Sequence, residues 1–229
     1  MATVLRGISS MATRQVLADL AQAWQATGGA VLANESVGGV DAAKRVQAGE
    51  PFDVVFLASD AIDKLVASGH VLAGSKVDLV LSSTAVAVPA HAALPNIATE
   101  EALRTAVLAA PKIGYSTGPS GVALQQLFVR WGIAEEVQSR CVQAKPGVPV
   151  GSLVASGEVA LGFQQLSELI HVDGIRIVGP LPKAVAIDTI FSGGVVSGSA
   201  HIEDVQALLA FMASSAGDEV KRRQGMAPA

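Results

Sequence analysis

Short apolar runs alternate along the chain with alanine-rich segments of helical periodicity, and this alternation restricts the fold more than any other feature. The runs VLRGI, AVLANE and FDVVFLA precede helical segments at Ala12–Thr27, Val40–Ala48 and Asp60–Ser68, respectively. Strands that are separated by amphipathic helices indicate parallel β-α-β units, with helices on both faces of the sheet. The sequence therefore predicts an α/β fold.

Two extended segments interrupt this alternation. The first is LVLSSTAVAVPAHAALPN, which reads as two consecutive extended runs with a proline-rich exit, and the second covers Ala184–Val196. Between them the alternation resumes, and after them two helices finish the chain. A chain of 229 residues is long enough for two cores. We predict two α/β lobes, each a mostly parallel sheet flanked by helices: residues 1–82 with 192–229, and residues 83–191.

Charge and cysteine content exclude several classes of function. There are 16 Lys and Arg residues, 20 Asp and Glu residues and no basic block, so we expect no nucleic-acid partner. The longest apolar runs, such as VDLVLSSTAVAV, contain polar residues well before the roughly 20 positions that a membrane-spanning helix needs. Cys141 is the only cysteine, and the four histidines show no metal-ligand spacing. We therefore expect no internal disulfide, no metal and no cofactor.

Polar residues follow three of the predicted strands at the point where each strand ends. GISSMATR follows VL, STGPSG follows KIGY, and FQQLSE follows VALG. In an open α/β sheet, ligands bind outside the carboxyl ends of the strands, where helices begin with unpaired N–H groups and a positive dipole. An anion can be held there without a metal, so the three segments are candidates for a single anion site.

Serine hydroxyls and one arginine are the candidate ligand groups in these segments. Ser9 and Ser10 lie at the first helix start and Ser120 at another, where Gly121 lets the backbone approach a ligand. A serine at such a place can also be only an N-cap. Arg14 is suited to bidentate binding of a carboxylate, although its place within a helix also fits a solvent-facing side chain. No Walker loop or GxGxxG motif follows a strand.

Blocks of sequence along almost the whole chain resemble the type 2 periplasmic solute-binding proteins, in particular the molybdate-binding proteins of ABC transporters. They are the serine-bearing first junction, RVQAGEPFDVVFLASDAIDKLVASGHV, the PSG at 119–121, GSLVASGEVALGF, IVGPLP and the closing helices. The resemblance implies two lobes that are joined by a two-strand hinge and close on a small anion. It also implies ligand residues in this chain: Ser9 or Ser10 in the first lobe, Ser120 in the second, and a backbone donor in the loop near Gly147 and Val148. Met11 and Gly121, which lie next to these serines, complete the candidate set.

Two departures from the molybdate-binding pattern change the expected ligand. In NESVGGV, Ser36 is displaced and Gly38 takes a position where the family presents serines, and Gln164 and Gln165 follow the late strand where a tyrosine is frequent. With Arg14, the two glutamines suit a planar carboxylic acid better than a tetrahedral oxyanion. ISSMATR and GFQQLSE are also compatible with a similar branch, the aconitate isomerases, but the sequence identifies no base for such an enzyme.

The resemblance leaves three functions open. The first is a monomeric solute-binding protein for a small anion, which delivers its ligand to a membrane ABC permease from the periplasm after removal of an export signal. The second is an aconitate-isomerase-like enzyme that moves a proton and a double bond in an unsaturated tricarboxylic acid. The third is a cytoplasmic ligand-sensing domain, because no export signal precedes VLRGI in this chain.

Overall fold

The computed structural model describes residues 3–145 and 147–229, and these residues divide into two compact units. Unit 1 comprises Met1–Ser82 and Ile190–Ala229, and unit 2 comprises Ser83–Thr189. The chain passes from unit 1 to unit 2 within one strand, Val77–Pro89, and returns within another, Asp188–Val195. Each unit is described separately below.

Strands and helices alternate through most of the chain. The strands are β1 Val4–Ser10, β2 Val31–Val37, β3 Val54–Ala58, β4 Val77–Pro89, β5 Ile113–Tyr115, β6 Cys141–Gln143, β7 Leu161–Gln165, β8 Ile175–Pro180, β9 Asp188–Val195 and β10 Met226–Pro228. The helices are α1 Arg14–Ala26, α2 Gly39–Gln47, α3 Ser59–Ala67, α4 Glu100–Ala109, α5 Pro119–Arg130, α6 Ala134–Val137, α7 Val150–Ala155, α8 Leu166–Leu169, α9 Ile202–Ala213 and α10 Asp218–Arg223.

The sheet of unit 1 has the order β2-β1-β3-β9. The first three strands are parallel and β9 is antiparallel to β3, while β10 pairs with the first half of β4. Every residue of β3 is buried: Val54 and Phe56 belong to the core on one face of the sheet, and Val55 and Leu57 belong to the core on the other. A strand that is covered on both faces needs an uninterrupted apolar run, and VVFLA provides it.

The sheet of unit 2 has the order β4-β7-β5-β6, and β8 also pairs with β4. Strands β5, β6 and β7 are parallel, and β4 is antiparallel to β7. Gly162 in β7 lets α7 pack closely on the sheet, because a Cβ at this position would lie 2.4 Å from the Cγ2 of Val154. The alternation of strands and helices thus produces, within each unit, the parallel β-α-β arrangement that the sequence predicts.

Three local differences separate the prediction from the structure. The central extended segment is one continuous strand, β4, because its two halves pair with different partners: Val80–Ser82 with β10, and residues 84–89 with β7 and β8. The first helix is preceded by a 3-10 turn, Met11–Thr13. The second extended segment begins with another 3-10 turn, Lys183–Val185. In the described part of the chain, no helix has both the length and the hydropathy to cross a membrane.

Candidate functional site

Three helices of unit 1 begin at the same edge of its sheet. Because β2, β1 and β3 are neighbouring parallel strands, their carboxyl ends lie side by side, and each leads directly into helical structure. The residues in the N-cap positions of the turn after β1, of α2 and of α3 are Ser10, Gly38 and Ala58, and none of them makes a side-chain cap hydrogen bond. This edge therefore presents backbone N–H groups that no side chain caps, at the positive ends of helices.

A hydrogen-bonded cluster joins the ends of β1 and β2. Ser9 and Ser36 are paired in the register of the two strands, and their hydroxyl oxygens are 2.8 Å apart. The Asn34 amide donates to Ser9 Oγ at 2.9 Å and to Ser36 Oγ at 3.3 Å. One hydroxyl proton serves the bond between the two serines, so the pair retains one O–H for an acceptor outside the cluster. The interpretation of Ser36 as displaced missed this pairing, which depends on strand register.

Ser10 differs from Ser9 because its hydroxyl is unpaired. Only 7% of Ser10 is exposed, and its Oγ has no hydrogen-bond partner among the described residues. Ser10 lies beside the start of α2, because a Cβ placed on Gly39 would be 3.6 Å from the Ser10 Cβ. A buried hydroxyl without a partner costs free energy unless a ligand or water satisfies it. Ser10 is therefore the strongest candidate ligand group of unit 1.

Met11 and Arg14 follow Ser10 along the chain. Met11 is half-buried and begins the 3-10 turn. Arg14 is the first residue of α1 and is exposed, and its side chain forms no ion pair or hydrogen bond with the described residues. Its guanidinium group is thus available to solvent and to a ligand.

The corresponding edge of unit 2 contains a second pair of serines. Ser120, in the first turn of α5, is 3% exposed, and its Oγ lies 3.0 Å from that of Ser116, which follows β5. Like the pair in unit 1, these hydroxyls share one proton and retain another for an acceptor. The N-cap of α5, Gly118, provides no side-chain cap. Gly121 allows the tight turn, because a Cβ there would lie only 1.8 Å from the Ser116 carbonyl oxygen.

The Gln164 side chain caps the N-terminal end of α7, and both belong to unit 2. Its Oε1 accepts hydrogen bonds from the N–H of Val150 at 2.7 Å and of Gly151 at 3.4 Å. Val148, a ligand residue implied by the resemblance, donates its N–H to the Lys145 carbonyl at 2.9 Å and is 39% exposed. These backbone donors near the start of α7 therefore already have partners within the protein.

Gln165 lies beside Gln164 at the end of β7 and has a different environment. It donates from Nε2 to Thr189 Oγ1 at 2.9 Å, while its own Oε1 has no partner among the described residues. Thr84, its partner in the strand register, also has a buried hydroxyl without a described partner. This end of β7 therefore offers a ligand both an acceptor and a donor.

Glu168 is a functional candidate that the sequence did not reveal. It lies in α8, directly after β7, is half-buried, and shares a hydrogen bond with the Gln164 side chain. Burial raises the pKa of Glu168 to about 7, although the hydrogen bond from Gln164 acts in the opposite direction. Glu168 is part of the FQQLSE segment that the sequence singled out, but the spacing of that segment does not indicate that the carboxyl group is buried.

The two edges share the same chemistry. Serine hydroxyls, amide groups and helix starts provide neutral donors, and three or more metal-ligating side chains do not come together anywhere in residues 3–145 and 147–229. Neutral donors at helix starts bind an anion without forming a salt bridge to it. Fold and site chemistry together define a protein of the type 2 periplasmic-binding class, which the comparisons with known structures support.

The chain belongs to the bacterial extracellular solute-binding protein family, whose model matches residues 5–227. It is 38% identical over 232 residues to a protein of Pseudomonas sp. named aconitate isomerase, and the match covers 99% of this chain and 88% of that protein. Over 134 residues it is 28% identical to the molybdate-binding protein ModA of Azotobacter vinelandii, covering 57% of this chain and 51% of ModA.

A solved structure of the Azotobacter vinelandii periplasmic molybdate-binding protein has the same fold. It superposes with a TM-score of 0.79 at 21% identity, and the match covers 97% of this chain and 98% of that one. The predicted two-lobe periplasmic-binding-protein fold is confirmed by this match, and so are the resemblances to molybdate-binding proteins and to aconitate isomerases.

Proposed function

We propose that this protein binds a small anion with several carboxylate groups, as a solute-binding protein. The observation that carries the proposal is the buried, unpaired hydroxyl of Ser10 at an edge where three helices begin without side-chain caps. An anion would satisfy both the hydroxyl and the neighbouring N–H groups. In unit 2, the serine pair of Ser116 and Ser120 supports the same ligand chemistry.

Two features favour a carboxylate over molybdate or sulfate. The relative that matches along the full chain is named for aconitate, a tricarboxylate, whereas the match to ModA covers only 57% of the chain. Arg14, exposed and without an ion pair in the described structure, has the planar geometry that binds a carboxylate through two parallel hydrogen bonds. We therefore expect a planar tricarboxylate to bind more tightly than a tetrahedral oxyanion.

Calorimetric titration tests this proposal directly. The panel comprises cis- and trans-aconitate, citrate, succinate, molybdate, tungstate and sulfate, and binding of none of them would refute the proposal. Arg14→Ala should weaken tricarboxylate binding more than oxyanion binding, with Arg14→Lys between wild type and Arg14→Ala because lysine keeps only the charge. Tight molybdate binding that is unaffected by Arg14→Ala would replace the carboxylate with an oxyanion as the ligand.

A second candidate function is the isomerisation of an unsaturated tricarboxylate. The specific observation in its favour is the 38% identity, over 99% of the chain, to a protein named aconitate isomerase. Binding is common to both functions, so the titrations do not separate them. Incubation with pure cis- or trans-aconitate, followed by proton NMR, does: interconversion supports the enzyme, and an unchanged isomer leaves a binding protein.

The transport role adds three further elements to the proposal. Membership of an extracellular solute-binding family supports a periplasmic location and delivery of the ligand to a membrane ABC permease. We propose that the protein does this as a monomer. Light scattering of the purified chain tests the oligomeric state, and fractionation of cells that express the full native gene tests the location.

A further inference from the structure

Glu168 is the titratable group that anion binding leaves unexplained. It lies at the carboxyl end of β7, the same sheet edge of unit 2 at which Ser116 follows the parallel neighbour β5. A half-buried carboxylate works against the binding of an anion, because like charges repel. A purely binding protein gains nothing from an acid at this edge, so its presence calls for another role.

The surroundings of Glu168 are apolar and almost free of charge. Neither β7 nor α7 contains a charged residue, and both pack against α8. The flanking residues of α8, Leu166 and Leu169, pack with β4 and β8. On β8 the charged residue is Arg176, whose side chain bonds to the Ala92 carbonyl, and β4 has no charged residue within unit 2. After α8 come His171 and Asp173, which are both exposed.

The hydrogen bond from Gln164 holds the Glu168 carboxyl group in place. Because the Gln164 oxygen accepts from the N–H of Val150, its amide nitrogen is the group that donates to Glu168. The glutamine is thus held at both ends and is buried. Burial raises the pKa of Glu168 to about 7, which is near the value at which a carboxyl group accepts and returns a proton efficiently at neutral pH.

We propose that Glu168 is the catalytic residue that moves the proton in the isomerisation of an unsaturated tricarboxylate; this inference rests on the second candidate function. The substrate class is a propene tricarboxylate, which has a methylene group between a carboxylate and the double bond. Glu168 removes a proton from the methylene carbon, and the electron pair spreads over the three-carbon unit and the adjacent carboxylate. The protonated Glu168 then returns the proton to the former vinyl carbon.

This sequence of steps is balanced and explains how the geometry changes. One C–H bond breaks and one forms, the double bond moves by one carbon, and no oxidant, reductant or water is consumed. The new double bond forms where a single bond was free to rotate, so either the cis or the trans isomer can result. Charge that develops on the substrate carboxylate is stabilised by neutral donors such as the hydroxyl pair of Ser116 and Ser120.

Glu168→Gln tests the assignment, with Glu158→Gln as the matched control. Glutamine keeps the size of the side chain and can still accept from Gln164, but it cannot take a proton. Glu158 lies in the same unit and is exposed, so its substitution makes the same chemical change away from β7. For each protein, kcat and KM are measured by NMR, proton exchange of the substrate is followed in D2O, and tricarboxylate affinity is measured by calorimetry.

We expect Glu168→Gln to lower kcat by at least about 100-fold and to stop deuterium uptake at the methylene carbon. Affinity should stay the same or rise, because a charge that repels the anion is removed. Glu168→Asp should retain part of the activity. In wild type, kcat should rise with pH with a midpoint near 7, the raised pKa of Glu168, and this dependence should be absent from the residual rate of Glu168→Gln. Glu158→Gln should match wild type in every respect.

Three contrary results have different meanings. Wild type that binds the tricarboxylate but neither isomerises it nor exchanges its protons would overturn the isomerase function and this assignment with it, while anion binding would stand. Wild type that isomerises at the same rate as Glu168→Gln would overturn the assignment alone. A loss of affinity equal to the loss of rate in Glu168→Gln would make Glu168 a structural residue and would also overturn its assignment.

Discussion

At the scale of single residues, the two serine pairs show how this chain presents donors to an anion. In both Ser9–Ser36 and Ser116–Ser120, one hydroxyl donates to the other, so each pair keeps one O–H that can donate to an anion. Ser10 is different, because its hydroxyl has no described partner. Such a group adds no hydrogen bond within the described structure, and it costs free energy until a ligand or water satisfies it.

Ser10→Ala should therefore separate binding from stability. A hydrogen bond to a charged group contributes about 1.5 to 3 kcal/mol, so the variant should bind its anion roughly 10- to 100-fold more weakly. Its free energy of unfolding without ligand should not fall, because no hydrogen bond of the unliganded protein is lost. Calorimetry and urea denaturation measure the two quantities. Ser215→Ala, an exposed serine of unit 1, is the control, and equal affinities for both variants would exclude Ser10 from the site.

Glu168 should make stability depend on pH in a defined direction. Its pKa is raised from 4.5 to about 7 by burial, so between these pH values the folded protein holds a proton that the unfolded chain releases. The free energy of unfolding should thus fall as the pH rises from about 4.5 to 7. Glu168→Gln removes this penalty and should be more stable than wild type at pH 8, by up to roughly 3 kcal/mol, but similar to it near pH 4.5.

Urea denaturation of wild type, Glu168→Gln and Glu158→Gln at both pH values measures this difference. Other groups titrate over the same range, so the quantity that matters is the variant minus wild type at each pH. Glu158→Gln should show the same small difference at both. A stability gain of Glu168→Gln that does not change with pH would contradict the raised pKa.

Residues at helix starts could be predicted from the sequence, whereas residues defined by strand pairing or burial could not. Ser9, Ser10 and Ser120 are visible as hydroxyls next to predicted helices, and the structure places them there. Ser36 needed the parallel register that sets it opposite Ser9. Glu168 needed knowledge of what surrounds it, because desolvation is a property of the packed unit and not of the segment FQQLSE.

At the scale of secondary-structure elements, the boundaries follow local signals where such signals exist. Thr99 is the N-cap of α4 and accepts from the Ala102 N–H at 3.2 Å, and α4 ends at Ala109, before Pro111. The strand β10 and the short helix α6 were not predicted. Each has four residues or fewer, too short to show a periodicity, and β10 is a strand only because it pairs with β4.

The turn between β5 and α5 gives a test at this scale. Gly121→Ala would place a Cβ 1.8 Å from the Ser116 carbonyl oxygen, so the backbone of the turn must move. We expect it to lower the free energy of unfolding by about 1 to 3 kcal/mol and to weaken anion binding, since Ser116 and Ser120 separate. Gly118→Ala is the control, because its Cβ would meet nothing closer than 3.8 Å. Equal stabilities in denaturation experiments would contradict this role of Gly121.

At the scale of the whole molecule, the division into two units follows from how the sequence distributes its apolar residues. Each sheet has buried clusters on both faces, and each cluster draws its residues from one unit alone. The chain crosses between the units only within β4 and β9. This organisation was predictable because alternating strands and helices need two covered faces, whereas the identity of the ligand was not, because it depends on a few side chains at strand ends.

Ligand binding should stabilise the protein as a whole, by an amount that grows with the logarithm of the free ligand concentration. A ligand at 100 times its Kd that binds only the folded chain adds about 2.7 kcal/mol, and for a chain of this size each kcal/mol raises Tm by about 2 to 4 °C. We therefore expect trans- or cis-aconitate to raise Tm by roughly 5 to 10 °C in calorimetric scans, and sulfate at the same concentration to raise it less.

Ser10→Ala should lose most of this shift while its Tm without ligand stays at or above that of wild type, because its Oγ has no described partner to lose. A shift that is equally large for sulfate would show that general salt effects, rather than a carboxylate site, stabilise the chain.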